Sequence, residues 1–236
     1  MEIDLVGHEG GNSFGEFCFT LTITDVATGW TVNCSVPNKA AIHVVAAIEH
    51  ASALFSFPTL GIDSDNGSEF INAHLFDYCV ANKITFTRGR PGNKNDGSHV
   101  EQKNWTHVRS LVGYLRFDTP AELAVLNEIW DADWQFTNLL CTQQKLISRE
   151  RVGAKVIKRH DPAQTPHQRA LAAGVLTPAK KASLTKGPQH HPARATSASH
   201  RRYRRPARTP RALQDHRPTP TRQPGLQQDR PSGDLR

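Results

Sequence analysis

Hydrophobic positions along the first ninety residues change period several times. "IDLV" at residues 3–6 is a short apolar run of strand length, and "EFCFTLTITDV" alternates, with Phe17, Phe19, Leu21 and Ile23 on one side and Cys18, Thr20 and Thr22 on the other. After the turn-forming "DVATG", "WTVNCSV" puts Trp30, Val32, Cys34 and Val36 on a common side, so residues 16–36 predict an antiparallel hairpin. The period then lengthens: Ala41, Val44, Val45, Ile48 and Phe55 recur at helical spacing and predict a helix from an Asn38 N-cap to about Ser56, with Pro58 at its exit. "LGIDSD" follows as a buried strand, "FINAHLFDYCVAN" as a helix and "ITFTR" as a further strand.

Residues 89–98, "GRPGNKNDGS", are rich in Gly, Pro and Asn and predict a mobile loop. The helix expected after it, "SHVEQKNWTHVRSLVGYLRF", keeps Val100, Val108, Leu111, Val112 and Leu115 on an apolar side. On that helix Trp105 and Tyr114 are expected to be packing aromatics. "TPAE" opens another helix, with Thr119 as cap, Pro120 in the first turn and Glu122 completing a capping box. Beyond about Leu176 the periodic signal fades, and after Lys186 there is no Val, Ile, Phe, Met or Trp while eight prolines occur. Such a segment buries too little apolar surface to offset its ordering entropy and is expected to be disordered. The expected organisation is therefore a core over residues 1–140, an extension over 141–186 and an Arg/Pro-rich tail over 187–236. The abrupt change of composition in the tail is also what out-of-frame translation would produce, which the nucleotide sequence can test.

Charge changes the picture less than its total suggests. The chain of 236 residues has a formal charge of +7, but residues 187–236 hold 11 Arg, no Lys and 3 Asp, a net of +8. Residues 1–186 are left with −1, so any case for a nucleic-acid partner must rest on the chemistry of the body. Cys18, Cys34, Cys79 and Cys141 form no CxxC pair and no finger-like spacing with His; they read as core thiols of an intracellular protein. No secretory leader and no apolar run of about 18 residues is present, which argues against export or a membrane span.

The predicted order is three strands, helix, strand, helix, strand, then helices. A mixed sheet whose fourth strand returns parallel beside the first connects these elements economically. It makes Asp4 and Asp65 neighbours, since adjacent strands lie about 4.8 Å apart. Two facing carboxylates are unfavourable unless a divalent cation joins them, and Mg²⁺ is commonly held by one or two carboxylates, water and phosphate oxygens. Glu101, in the first turn after the loop, is the natural third acid.

Between Asp65 of "DNGSEF" and Glu101 of "HVEQKN" lie 35 residues. In that spacing the chain resembles the retroviral-type integrase catalytic core. In "GIDSDNGSEFIN", "ITFTRGRPGNKND" and "HVEQKNW" it resembles, more closely, bacterial insertion-sequence transposases of the Asp-Asp-35-Glu class, over roughly residues 1–176. The resemblance implies an α/β, RNase H-like fold, a mixed five-stranded sheet flanked by helices, with Asp4, Asp65 and Glu101 as catalytic residues and ligands of two Mg²⁺ or Mn²⁺ ions. It implies DNA cleavage and strand transfer at transposon ends and target DNA, by a homo-oligomer in the bacterial cytoplasm at the nucleoid. Asp63 and Glu69 become flanking residues. Lys94, Lys103, Asn104 and Arg109 are candidate DNA contacts, although retroviral integrases carry basic residues four and seven places after the glutamate, where this chain has Trp105 and Val108.

Each acid also has a structural reading. Asp65 with Asn66-Gly67 could form only a tight turn, Ser98-x-x-Glu101 matches a capping box, and Asp4 lies near a terminus. Joint occurrence at the family spacing favours the catalytic reading. The chain begins three residues before Asp4, without the upstream helix-turn-helix region of such transposases, so a truncated copy is one expectation. The competing functions are a non-catalytic nucleic-acid-binding remnant gripping phosphate through its Arg-rich tail, and an RNase H-like nuclease acting on a hybrid duplex.

Overall fold

Strand β1 (Glu2–Gly7) pairs antiparallel with β2 (Phe19–Thr24), which pairs antiparallel with β3 (Thr31–Val36). The computed structural model describes residues 1–67, 69–90, 96–174, 176–179 and 181–182. Helix α1 (Ala41–Ala53) carries the chain back so that β4 (Gly61–Ser64) lies parallel to β1, and α2 (Ala73–Ala81) does the same for β5 (Thr85–Arg88). The five-stranded sheet has the order β3-β2-β1-β4-β5. Three antiparallel strands followed by two parallel ones, with helices between, is the mixed RNase H-like arrangement expected from the sequence.

Helix α3 (Ser98–Lys103) continues without a break into a π-helical stretch, Asn104–Arg109, and a final turn α4 (Ser110–Val112). Gly113 ends it, at a φ of +70° that side-chain-bearing residues rarely adopt. The helix therefore stops short of the expected extent, and Leu115, read as part of its apolar side, is 66% exposed. Helix α5 (Pro120–Gln135) begins with the predicted capping box between Thr119 and Glu122 and passes into a second π stretch, Phe136–Leu140. A separate two-stranded sheet, β6 (Leu146–Val152) and β7 (Lys155–His160), precedes α6 (Pro166–Ala172).

The sheet is buried on both faces. On one side Ile3, Leu21, Ile23, Trp30 and Val32 pack with Val44 and Ile48 of α1 and Leu75 of α2. On the other, Val6 and Cys18 pack with Val108, Val112, Leu126, Ile129 and Trp130. The alternation of β2 thus marks two covered faces, one apolar and one carrying hydroxyls: Thr20 and Thr22 are fully buried. His8 Nε2 bonds Thr20 Oγ1 at 2.7 Å, Thr20 bonds Ser35 Oγ at 2.8 Å, and Trp130 Nε1 donates to Ser35 Oγ at 2.7 Å, a chain linking the residue after β1, through β2 and β3, to α5.

Strand β3 is an edge, and unpaired edges invite aggregation. Here the helical side covers it: Asn127 accepts from Ser35 N and donates to Ser35 O, while Asn138 does the same with Thr31. Two amides on one helical segment thereby satisfy the outward backbone groups of β3 like a partial sixth strand.

Asn38 does not cap α1. Its Oδ1 accepts from Ala40 N, two residues on, and Ala40 occupies the cap position without a side-chain hydrogen bond. Asn38 closes a local turn before the helix instead. The cap of α2 is Asn72, whose Oδ1 accepts from Leu75 N. Residues 91–95 of the loop over 89–98, and the whole tail over 187–236, lie outside the described residues.

Candidate active site

The register of β1 against β4 sets Glu2 beside Asp63 and Ile3 beside Ser64. One step further along both strands brings Asp4 opposite Asp65, just past the end of β4. These two, with Glu101 of α3, line one cavity of about 210 Å³. It opens at the carboxyl end of β4, where ligand sites of open α/β sheets commonly lie.

Glu2, outside the expected set, and Asn104, expected as a DNA contact, tie α3 to β1. Glu2 reaches from β1 to the start of α3, where its carboxylate accepts from His99 N and Val100 N, each at 2.9 Å, and pairs with His99 Nδ1 at 2.8 Å. The cap residue itself is Gly97, in the left-handed region, and it offers no side chain. A carboxylate from a distant strand thus satisfies the free amides of the first turn. The capping box that is the alternative reading of Ser98 and Glu101 does not form, because Ser98 is already helical. Glu101 is left exposed on the cavity wall, and among the described residues no hydrogen bond is donated to its carboxylate.

The second tether is Asn104, one turn beyond Glu101, whose Nδ2 donates to Asp4 Oδ2 at 2.6 Å. Leu5 N donates to Asp4 Oδ1 at 2.8 Å. Despite these two donors, burial together with the facing Asp65 and Glu101 carboxylates pushes the Asp4 carboxyl up to about 6. Asp65 is held by a local turn, Oδ1 accepting from Gly67 N at 2.9 Å, while Asn66 Nδ2 donates to Gly89 O. Turn geometry and cavity position therefore coexist at Asp65. Asp63 also borders the cavity, but Thr87 of β5 donates to its Oδ1 at 2.6 Å.

An all-oxygen set of mutually repelling carboxylates suits a hard divalent cation. Among the described residues, no three His, Cys, Asp or Glu side chains are yet gathered closely enough to hold one ion. The acids share the lining of one cavity.

Of the four residues expected to meet phosphate, Lys94 lies outside the described residues. Lys103 is buried, donates from Nζ to Gln143 Oε1 at 2.6 Å, and is pushed down to about 8 by burial. Asn104 is the Asp4 partner. Arg109 donates to the carbonyls of Gly7 and Gly113 and stacks 4.5 Å above the Tyr114 ring. Trp105 and Tyr114, expected to pack inside, are 63% and 61% exposed, with ring centroids 6.5 Å apart. Trp105 and Arg109 border a second hollow that also touches Glu101 and Asn104. The helical pattern missed this because the π stretch shifts side-chain phase after Lys103. Glu2 had one available signal, an acid two places before Asp4 on the same side of a strand.

Sheet order, strand directions and the acid-lined cavity define an RNase H-like domain. Residues 1–94 match the integrase core domain family, a segment that carries Asp4 and Asp65 and ends before Glu101. The uncharacterized protein y4rM of Sinorhizobium fredii (strain NBRC 101917 / NGR234) is 40% identical over 166 residues, 70% of this chain and 47% of y4rM. The chain thus spans about half the length of that curated relative. Among solved structures, the catalytic core domain of BIV integrase is similar at a TM-score of 0.46 and 17% identity, over 73% of this chain and 94% of that one. The simian T-cell lymphotropic virus intasome in complex with PP2A regulatory subunit B56 gamma gives 0.47 and 19%, over 60% and 49%. No helix among the described residues is long and apolar enough to cross a membrane.

Proposed function

We propose that this chain carries the catalytic domain of a DNA transposase or integrase, with Asp4, Asp65 and Glu101 holding two Mg²⁺ or Mn²⁺ ions. The carrying observation is that three acids from β1, the end of β4 and α3 border one cavity, with Asp4 destabilised as an anion by burial and, to a lesser degree, by the other two. The integrase core match over residues 1–94 supports the same reading. Bound in this cavity, divalent cations would supply Lewis acidity at a phosphate oxygen and a hydroxyl nucleophile at neutral pH.

The protein's own groups then have defined tasks. Asn104 keeps Asp4 Oδ2 turned toward α3, Leu5 N holds the other oxygen, and Glu2 fixes the start of the helix that presents Glu101. Among the described residues that line the cavity the one hydroxyl is that of Ser64, which donates to Asp65 O, so attack by water, and then by a DNA 3′-hydroxyl, fits the site better than a protein–DNA intermediate. Joining two element ends to one target requires two such sites, which makes a homo-oligomer the working form of this reading.

The test is joining of a 3′-hydroxyl duplex to plasmid DNA by the full chain with Mg²⁺ or Mn²⁺. Activity lost on chelation and in Asp65→Asn is expected; unchanged activity in that variant would remove Asp65 from the mechanism. Melting provides a second readout. Saturating Mn²⁺, at about 100 times its Kd, should stabilise the wild type by about 2.7 kcal/mol and leave Asp65→Asn unmoved. Cleavage confined to RNA–DNA hybrids would instead assign the same cavity to a nuclease, and duplex binding without any cation response would assign the chain to non-catalytic binding.

A further inference from the structure

The β6–β7 hairpin is unlike the rest of the domain. Every residue of both strands is exposed, including Leu146, Ile147, Val152, Val156 and Ile157. Two-stranded hairpins are marginal alone in water, and among the described residues this one is tied to the rest of the domain by hydrogen bonds at its root. There, Gln143 and Gln164 exchange backbone hydrogen bonds, Lys145 N donates to Asp161, and Arg169 pairs with Asp161. The root also meets the active-site helix, because Gln143 accepts from Lys103, two residues beyond Glu101.

Its charge is equally distinct. Residues 146–160 contain five Lys or Arg and one acid, a net of +4, so the remainder of residues 1–186 carries −5. The register puts Arg149 directly across from Lys158, with Arg151 two places along the same face. Like charges opposite one another weaken a strand pair, and among the described residues no carboxylate forms a salt bridge with any of the three. An acid in place of either would relieve the repulsion within the fold. The arrangement makes electrostatic sense only against an external polyanion, and a two-stranded ribbon is one of the shapes that the major groove of B-DNA admits.

We infer that the β6–β7 ribbon is a duplex-DNA-binding arm, with Arg149, Arg151 and Lys158 set along backbone phosphates. The inference rests on the reading of DNA as the substrate and assigns the grip to an element separate from the acid cavity. That separation is physically required, since the cavity is anionic and repels phosphate until cations fill it.

The experiment is binding of a labelled duplex to the full chain, by anisotropy, between about 50 and 200 mM salt. The triple variant Arg149→Gln, Arg151→Gln, Lys158→Gln should lower the slope of log affinity against log salt by about 2–3, one phosphate contact contributing about 0.9. Both proteins retain the Arg-rich tail, so its contribution cancels. Arg149→Lys should keep the wild-type slope. If the triple variant fails to fold, the single changes Arg149→Gln and Lys158→Gln are each expected to lower the slope by about 1. An unchanged slope overturns the proposal, as does an unchanged slope with altered sedimentation, which would make the ribbon a protein contact. Asp65→Asn is expected to abolish strand transfer and leave the slope alone, so failure here and failure of the catalytic reading are seen in different measurements.

Discussion

The five-stranded sheet buries polar side chains, and the two-stranded ribbon exposes apolar ones. In the sheet, His8, Thr20, Thr22, Ser35 and Ser64 are inside, most of them tied to one another or to α5. In the ribbon, five large aliphatic residues are outside with three mutually repelling cations between them. In the sheet a buried hydroxyl chain ties strands to helix, although His8 Nδ1 and Thr22 Oγ1 lack partners; the ribbon, on the inference above, is completed by DNA. Substitutions in the first region should therefore register as stability and substitutions in the second as binding. The acid cavity falls between the two, being part of the sheet by position and incomplete by charge.

The largest effect is expected where that intermediate character is removed. Asp4→Asn, Asp65→Asn and Glu101→Gln should each lower strand transfer by about 10³-fold or more, about 4 kcal/mol of transition-state stabilisation. Asp4→Asn should also melt higher at pH 7, by up to about 3 kcal/mol, because an amide keeps an acceptor for Leu5 N without the buried anion. A purely structural Asp4 would lose stability when changed, so the sign of the melting shift separates the two roles.

Acid titration sharpens the contrast inside the sheet. Burial, with Arg109 nearby, pushes His8 down to about 4 from an ordinary 6.5. The unfolded chain takes up that proton below pH 6.5 and the folded one only near 4, so stability falls as pH drops across this window, by up to about 3 kcal/mol. Asp4 works in the opposite sense. Its carboxyl, at about 6 in the fold against 3.8, gains a proton first when folded, which adds stability as pH falls from 6 toward 4. The two contributions oppose each other in the wild type. His8→Gln should gain stability between pH 6 and 4, and Asp4→Asn should lose it, as measured by denaturant unfolding across that range. Parallel curves for the three proteins would show that neither group is as buried as its contacts imply.

How much of this was legible beforehand follows the same division. Local chemistry was readable: the Thr119–Glu122 capping box, the five strands and the parallel return of β4 are set by turn residues, periodicity and connection length. The proximity of Asp4 and Asp65 follows from topology alone. What could not be read depends on contacts between distant segments. Glu2 acts on α3 across 97 positions, Asn127 and Asn138 cover an edge strand roughly a hundred residues away, and the π stretch that exposes Trp105 has no composition signature. The cap of α1 was misplaced because an Asn two residues early can close a turn as well as start a helix. Lys103 is a candidate DNA contact by sequence, since nothing in its neighbours announces that Gln143 lies over it.

The hydroxyl chain offers a test of intermediate size. Ser35→Ala leaves the indole N–H of Trp130 and the hydroxyl of Thr20 each short of a buried partner, which should cost about 1–3 kcal/mol. DNA affinity and its salt slope should not change. Loss of binding in that variant at temperatures where it is fully folded would mean that sheet and ribbon are coupled, and the division drawn above would fail.

The smallest expected effect is the most discriminating, because its two readouts move in opposite directions. Lys158→Glu places an acid across from Arg149 and converts a repelling cross-strand pair into an attractive one, a change of about 0.2–1 kcal/mol in favour of the hairpin. The same change removes one phosphate contact and adds a repelling charge, so duplex affinity falls and the salt slope drops by about 1–2. A ribbon kept for its own stability would improve with Lys158→Glu and bind no differently. A ribbon kept for an anionic partner improves in melting while losing its grip, and hydrogen exchange on β6 and β7 alongside anisotropy reads both at once.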